Sequence, residues 1–274
     1  MGNNKKLFTA FKGTDSKNNI VKSTINGMPH TPSQQMIFGL RPVMEAINAG
    51  REISKVLLRK GLEGDKYNEL MVLMRKYDIP SQVVPVEKLN RVTRKNHQGV
   101  VAFVSPVEYA RIENLIPALF EKGEDPFIVV CEGVTDTRNI GAIARSAECA
   151  GAHAILLPVK GSAMISADAV KTSAGALNHI IICRTDNLKS ALIFLKNSGL
   201  KIIATTEKAG NIYFQADLTG PVALLLGAED IGISAEYLRM ADVIVKIPVK
   251  GKVSSLNVSA AAAVLMYEMV KQNS

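Results

Sequence analysis

The sequence lacks the marks of several large protein classes. No apolar run approaches the roughly 20 residues that a helix needs to cross a bilayer. The first residues, MGNNKKLFTAFKGTDSKNN, carry basic side chains but no apolar stretch and no small-residue cleavage site, so no secretory leader is expected. Gly2 is followed by Asn3, Asn4, Lys5 and Lys6, without the Ser or Thr that a myristoylation signal prefers. A soluble, cytoplasmic protein with no membrane partner is expected. Cysteine is scarce: Cys131, Cys149 and Cys183 are scattered, with no CxxC and no Cys/His cluster. A zinc site or a disulfide framework is not expected, no metal is expected, and the three read as buried free thiols. The common nucleotide loops are missing too. No GxGxxG follows an apolar strand and no GxxxxGK[ST] occurs, because Lys250-Gly251-Lys252 is followed by Val253 where Ser or Thr would have to hold magnesium. A Walker-type ATPase and an ordinary Rossmann dehydrogenase are therefore set aside.

What is present is an apolar, basic chain. Of 274 residues 47% are hydrophobic, enough for a substantial core, and the formal net charge is +8. That charge is unevenly placed. Residues 1–35 hold five Lys against one Asp, residues 36–108 hold twelve Lys/Arg against eight Asp/Glu, and residues 109–274 hold sixteen of each sign. The excess lies wholly in the front 40% of the chain, which suits a polyanionic partner held there. A merely basic soluble protein would show the same excess.

Residues 1–35 are polar and without apolar periodicity, and read as a disordered basic tail. From Met36 the texture changes. PVMEAINAG is a short amphipathic helix ending at Gly50. ISKVLL, SQVVPV and GVVAFVS are strands, and DKYNELMVLMRKYD places Tyr67, Leu70, Met71, Leu73 and Met74 at helical spacing. Residues 36–108 thus form a small α/β unit. Residues 109–125 read as a linker with one short helix. From residue 126 to 274 apolar strands alternate with helices, which implies a parallel sheet covered on both faces. Ligands of such sheets sit at the carboxyl ends of the strands, here the ends of FIVVCEG, KIIATTE, PVALLLG and VIVKIPV.

Three segments are dense in chemistry. In Asn139-Ile-Gly-Ala-Ile-Ala-Arg145, Asn139 is expected to cap a helix whose buried stripe is Ile140, Ile143, Ala144 and Ala147. Arg145 lies off that stripe, either as a solvated surface residue or aimed back at a ligand. In Leu224-Leu-Leu-Gly227-Ala-Glu229-Asp-Ile-Gly232, Gly227 ends a strand where backbone can approach a ligand, and Glu229 sits in a loop between glycines. In Ile247-Pro248…Ser254-Ser255-Leu256-Asn257, Ser255 and Asn257 open a final helix, expected from Ser255 to about Gln272, that is apolar nearly all round and should be buried or face another subunit.

In that order the three segments resemble the motifs of the SpoU (TrmH) group of RNA ribose 2′-O-methyltransferases of the SPOUT superfamily. FGLRPVMEAI and Asn96-His-Gln-Gly-Val-Val-Ala extend the likeness to the substrate-binding domain of bacterial 23S rRNA (guanosine-2′-O-)methyltransferases, whose fold is that of kink-turn-binding ribosomal proteins. The resemblance implies an α/β fold with a trefoil knot in the C-terminal parallel sheet, a homodimer, and S-adenosyl-L-methionine as methyl donor. Residue by residue it places donor contacts at Thr205, Gly227, Ile247 and Leu256, and the catalytic set at Asn139, Arg145, Glu229, Ser255 and Asn257. RNA contacts fall on Arg145 and His97. The implied target is a guanosine of large-subunit rRNA; the same chemistry on tRNA, and a non-catalytic RNA-binding assembly factor, are the alternatives. Arg145 is better suited to clamping a phosphate and stabilising a developing alkoxide than to taking a proton, because free guanidinium holds its own proton to above about pH 12.

Overall fold

A computed structural model describes residues 35–77 and 79–274. The disordered tail expected over 1–35 lies, all but its last residue, outside the described residues. The front unit is built from β1 (Met36–Phe38), α1 (Leu40–Asn48), β2 (Ile53–Arg59), α2 (Asp65–Lys76), β3 (Ser81–Val84), α3 (Val86–Val92) and β4 (Val100–Val104). Its sheet runs in the order β1-β4-β2-β3, with β4 antiparallel to both neighbours and β2 parallel to β3. Alternation along β2 explains the two faces. Val56 and Leu58 join Val43 and Ile47 of α1 and Leu70 and Met74 of α2, whereas Leu57 joins Val84, Leu89 of α3 and Val101. Asn48 ends α1 and Gly50 follows with φ +72°, the left-handed turn expected of a glycine there.

The larger unit continues through β5 (Tyr109–Ala110), α4 (Ile112–Glu121), β6 (Phe127–Cys131), α5 (Thr137–Cys149), β7 (Ala154–Pro158), α6 (Ala167–Thr172) and β8 (Ile181–Thr185). It is completed by α7 (Leu188–Asn197), β9 (Lys201–Thr205), β10 (Asn211–Ile212), β11 (Val222–Leu226), α8 (Ala235–Leu238), β12 (Val243–Lys246) and α9 (Val258–Gln272). Eight strands form one sheet in the order β10-β12-β9-β11-β6-β7-β8-β5, every pair parallel. One face is covered by α5 and α9, where Ile140, Ile143, Leu265 and Met266 meet Val129 and Leu224. The other is covered by α4 and α7, where Ile116 and Leu192 meet Ile128 and Leu225. Each such side chain withdrawn from water contributes about 1.5–3 kcal/mol before chain entropy is counted.

Four expectations change. Residues 109–125 are not a free linker: β5 forms the sheet edge beside β8, and Ile112, Ile116 and Leu119 of α4 are buried. Their apolar spacing, not the flanking prolines, decides their place. Asn139 does not cap α5. Asp136 does, accepting a hydrogen bond from the Arg138 amide at 2.8 Å, while the Arg138 side chain holds the Asp136 carboxyl below its ordinary pKa. The final helix starts at Val258 with Asn257 as its cap, which leaves Ser255 in the preceding segment. The thiols differ as well: burial pushes Cys131 and Cys183 up to about 12, whereas Cys149, on the solvent side at the end of α5, is exposed.

No described helix is long and apolar enough to cross a membrane. Gly141 explains a further detail. A Cβ there would lie 2.5 Å from the Ala169 carbonyl oxygen, so α5 and α6 meet backbone to backbone.

Candidate active site

The carboxyl ends of three adjacent strands, β11, β9 and β12, open into a cavity of about 450 Å³. All four residues expected to contact a methyl donor line it: Thr205 at the end of β9, Gly227 after β11, and Ile247 and Leu256 after β12. Glu229 and Ser255 line it too. The strand-end rule for parallel sheets accounts for the placement, because the loops there are free of the register that fixes the strands.

The loop after β11 is a tight fold-back. The Gly232 amide donates to the Ala228 carbonyl at 2.9 Å, and Ile231 at the tip is 82% exposed. A Cβ on Gly227 would stand 2.2 Å from the Gly232 carbonyl carbon. Glycine is therefore required first by the loop's own return, and only through that by whatever occupies the cavity. Its far end is pinned by Glu132, which follows β6: Oε2 accepts a hydrogen bond from the Ser234 amide at 3.0 Å. Beside it Gly133, at φ +70°, leaves only 3.2 Å between an added Cβ and the Ala228 methyl. Sequence reasoning passed over Glu132 and Gly133. Their signal was present as an acid and a glycine directly at a strand end.

One carboxamide joins the three segments. Asn257 Nδ2 donates to Asn139 Oδ1 at 3.1 Å and to Glu229 Oε1 at 2.5 Å. Asn257 Oδ1 meanwhile accepts from the Ser259 amide at 3.0 Å, capping α9. A single side chain thus fixes the start of α9 and ties the first turn of α5 to the loop after β11. Only a carboxamide, with a donor at one end and an acceptor at the other, can do both.

Arg145 stands apart from this bridge. It is exposed on α5, outside the cavity lining, and has no hydrogen-bond or ion-pair partner among the described residues. His97 behaves unlike an exposed RNA ligand. It is 8% exposed, its Nδ1 accepts from the Gly99 amide at 3.0 Å, and its Nε2 faces Asn90 Oδ1 at 2.9 Å. Since Nδ1 accepts, Nε2 carries the hydrogen and donates to Asn90. Both ring nitrogens are spent inside the unit, so the direct RNA contact expected of His97 becomes a turn-holding role. The turn it holds exposes Lys95, Asn96 and Gln98, with Gln98 at φ +49°. The described residues contain no cluster of three or more His, Cys, Asp or Glu placed to hold a metal ion.

Comparison with known proteins agrees with this layout. Residues 126–267 match the SpoU rRNA Methylase family, and residues 36–110 match the RNA 2′-O ribose methyltransferase substrate binding family. A Bacillus subtilis protein assigned to the TrmH family of tRNA/rRNA methyltransferases is 33% identical over 86% of this chain and 95% of its own length. Among solved structures, an AdoMet-bound rRNA methyltransferase from Sinorhizobium meliloti is 26% identical with a TM-score of 0.55, covering 85% of each chain. The SpoU methyltransferase AviRb from Streptomyces viridochromogenes is 27% identical with a TM-score of 0.55, covering 86% of this chain and 88% of its own. Motif order, sheet topology and sequence likeness agree, and the chain belongs to the SpoU rRNA methylase family.

Proposed function

We propose that this protein, an S-adenosylmethionine-dependent RNA methyltransferase of the TrmH/SpoU family, methylates a ribose 2′-hydroxyl, and that its target is a guanosine of large-subunit ribosomal RNA. The observation that carries the ribose chemistry is the Asn257 bridge from Asn139 to Glu229, the last of which lines the cavity. The cavity fits the donor: its volume lies in the range of small-molecule sites, and it is lined by both polar and apolar groups at a sheet's carboxyl edge. Bound there, S-adenosylmethionine supplies a sulfonium-activated methyl group. Gly227, Ile247 and Leu256 hold the donor chiefly through backbone groups, with Thr205 at the end of β9 beside them. The protein's remaining task is to bring a ribose oxygen into line and to ease the loss of its proton. Arg145 clamps the phosphate next to the target ribose and stabilises charge growing on the oxygen, a role its permanent charge and its lack of an internal partner both suit. Ser255 adds a polar group to the cavity wall, and Asn257, two residues on, is held by Glu229.

The ribosomal target is supported by the front unit, which a catalyst acting on the ribose alone would not need, and by its surplus of basic residues. Two further features belong to this reading. The C-terminal segment is threaded as a trefoil knot, supported by the joint lining of one cavity by the loops after β11 and β12. The protein is a homodimer, supported by the exposed Ala260 and Tyr267, the latter 52% exposed, on the outer side of α9. Sedimentation of the full chain at micromolar concentration tests the dimer, and a monomer there refutes it. Mapping 2′-O-methylation over rRNA and tRNA in cells with and without the gene tests the target. Loss of one large-subunit guanosine mark is expected; loss of a tRNA mark instead removes the ribosomal assignment, and no loss of any ribose mark removes the activity.

A further inference from the structure

The same carboxyl edge opens a second time, at the opposite end of the sheet, between β8, β5 and the front unit. The crevice there measures about 460 Å³. Arg184, next to last in β8, lies with its guanidinium carbon 4.8 Å from the ring centroid of Tyr109 on β5. Its Nε is buried without a hydrogen-bond partner among the described residues. A buried guanidinium nitrogen left unpaired costs on the order of 1–3 kcal/mol, so it marks a place where an outside acceptor is wanted. Arg51, Lys76 and Arg111 line the same space, and Lys76 Nζ sits 5.1 Å from the centroid of the half-exposed Tyr77 ring. Among the described lining residues two acids, Glu52 and Asp186, stand against these four cations, and none of the six forms an ion pair among the described residues.

We infer that this crevice holds a phosphodiester and its nucleotide from the substrate RNA, at a distance along the strand from the ribose that is methylated. The inference rests on the proposed RNA methyltransferase activity and adds a second point of attachment to it. Three properties select the ligand. The surplus of cations favours an anion, and a guanidinium held against an aromatic ring presents a planar fork of donors that phosphate oxygens accept. The crevice is far larger than a single phosphate ion. The half-exposed Tyr77 ring in its wall supplies a stacking face for a base, whose π-surface gives sequence-tolerant affinity. A carboxylate-bearing peptide would use the charge but leave that ring idle. The crevice also shares Asp186 with a smaller cavity beneath β6, β7 and β8 that Glu132, the anchor of the donor loop, helps to line. A strand laid along the edge therefore passes from this crevice toward the donor cavity.

The test uses the full chain and a fluorescein-labelled single-stranded oligoribonucleotide of twelve residues, with anisotropy read across a potassium chloride series. Arg184→Gln should weaken binding about tenfold, the loss expected for one charge-assisted phosphate contact, and lower the slope of log K against log salt by about 0.7. Arg111→Gln, at an exposed position where folding is not at stake, should lower affinity and slope in the same direction but less. Arg184→Lys should restore the slope and only part of the affinity, because charge returns without the stacked fork. S-adenosylmethionine affinity, measured by calorimetry, should stay unchanged in all three, and the KM for RNA should rise. Inorganic phosphate at matched ionic strength should not compete with the oligonucleotide; competition would assign the crevice to a small free anion and overturn the proposal. If Arg184 only fastens β5 to the sheet, Arg184→Gln will lower the melting temperature while slope and KM stay put, and the proposal fails although the methyltransferase reading stands. Loss of donor binding in the unsubstituted protein would strike that reading instead.

Discussion

The two units of the molecule use their polar residues in opposite ways. In the larger unit positive and negative charges balance in number and part of them pair internally: Lys189 pairs with Glu236 at 2.8 Å, Lys196 with Asp242 at 2.6 Å and Lys201 with Asp217 at 2.7 Å. Its motif residues also bond one another, as Asn257 does with Asn139 and Glu229. In the front unit the motif residue His97 turns inward, whereas the cations stay outside. Arg59, Lys60 and Arg94 are exposed and have no ion-pair partner among the described residues. Internal pairing braces a scaffold for a reaction. Cations left without an acid hold affinity in reserve for an external anion. Arg145 is an exception to the pairing, as Arg111 and Arg184 are: a cation on the scaffold side with no ion-pair partner among the described residues.

That exception offers the largest expected effect. Arg145→Ala should lower methyl transfer to RNA at least about a hundredfold, the scale of losing one group that stabilises developing charge. Calorimetric affinity for S-adenosylmethionine should be unaltered, because Arg145 lies outside the donor cavity. Near-normal transfer by this variant removes Arg145 from the reaction. Gly227→Ala should act in the reverse sense, with donor affinity falling first. The added methyl meets backbone of its own loop rather than a flexible side chain, so the loop must move, at a cost of about 1–3 kcal/mol. Unchanged donor affinity together with an unchanged melting temperature would show that the fold-back can open at no cost.

Much of this was legible in the sequence, and the misses share a cause. Strand and helix order in both units followed from apolar periodicity, because burial on two faces leaves a one-dimensional trace in residues such as Val56, Leu57 and Leu58. A cavity at the sheet's carboxyl edge followed from the strand ends. What could not be read were pairings between distant residues. His97 was expected to contact RNA because its internal partners, Asn90 and the Gly99 amide, are fixed only by the return of the chain. Residues 109–125 looked like a linker because β5 is only two residues long and owes its existence to β8. Asn139 was given the wrong bond: Asp136 caps α5, and the Asn139 oxygen serves Asn257, 118 residues away in sequence.

The bridge itself can be divided by substitution. Asn257→Ala removes both the cap of α9 and the link to Asn139 and Glu229, and should cost about 1 kcal/mol of stability along with transfer activity. Asn257→Asp keeps an oxygen to accept from the Ser259 amide, but sets a carboxylate against Glu229 where an amide donated. Its melting temperature at pH 7 should stay closer to that of the parent than the alanine variant's, while transfer falls as far. If Asp restores transfer as well as the cap, the bridge has no part in the chemistry, and the larger unit's internal bonding is scaffolding alone.

The smallest effect expected belongs to the front unit's free cations. Arg59 closes β2 and its amide donates to the Gly99 carbonyl at 2.8 Å, so Arg59 and Lys60 stand at the same sheet edge as the turn that His97 holds. Lys95 of that turn lies with Nζ 5.3 Å from the centroid of the Phe38 ring, which places a third charge on the edge. Replacing Arg59, Lys60 and Arg94 together with Gln should leave donor affinity intact and lower the salt slope of RNA binding by about 1–2, according to how many of the three meet phosphates. Deleting residues 1–35, which carry five Lys against one Asp, should flatten the same slope less. The nucleotide modified should be the same in both variants, since contacts to phosphate position a strand without reading its bases. A triple variant with the parent's slope would mean that the front unit recognises RNA by shape, with its charges idle. A changed site of methylation would mean that these cations select the target as well as hold it.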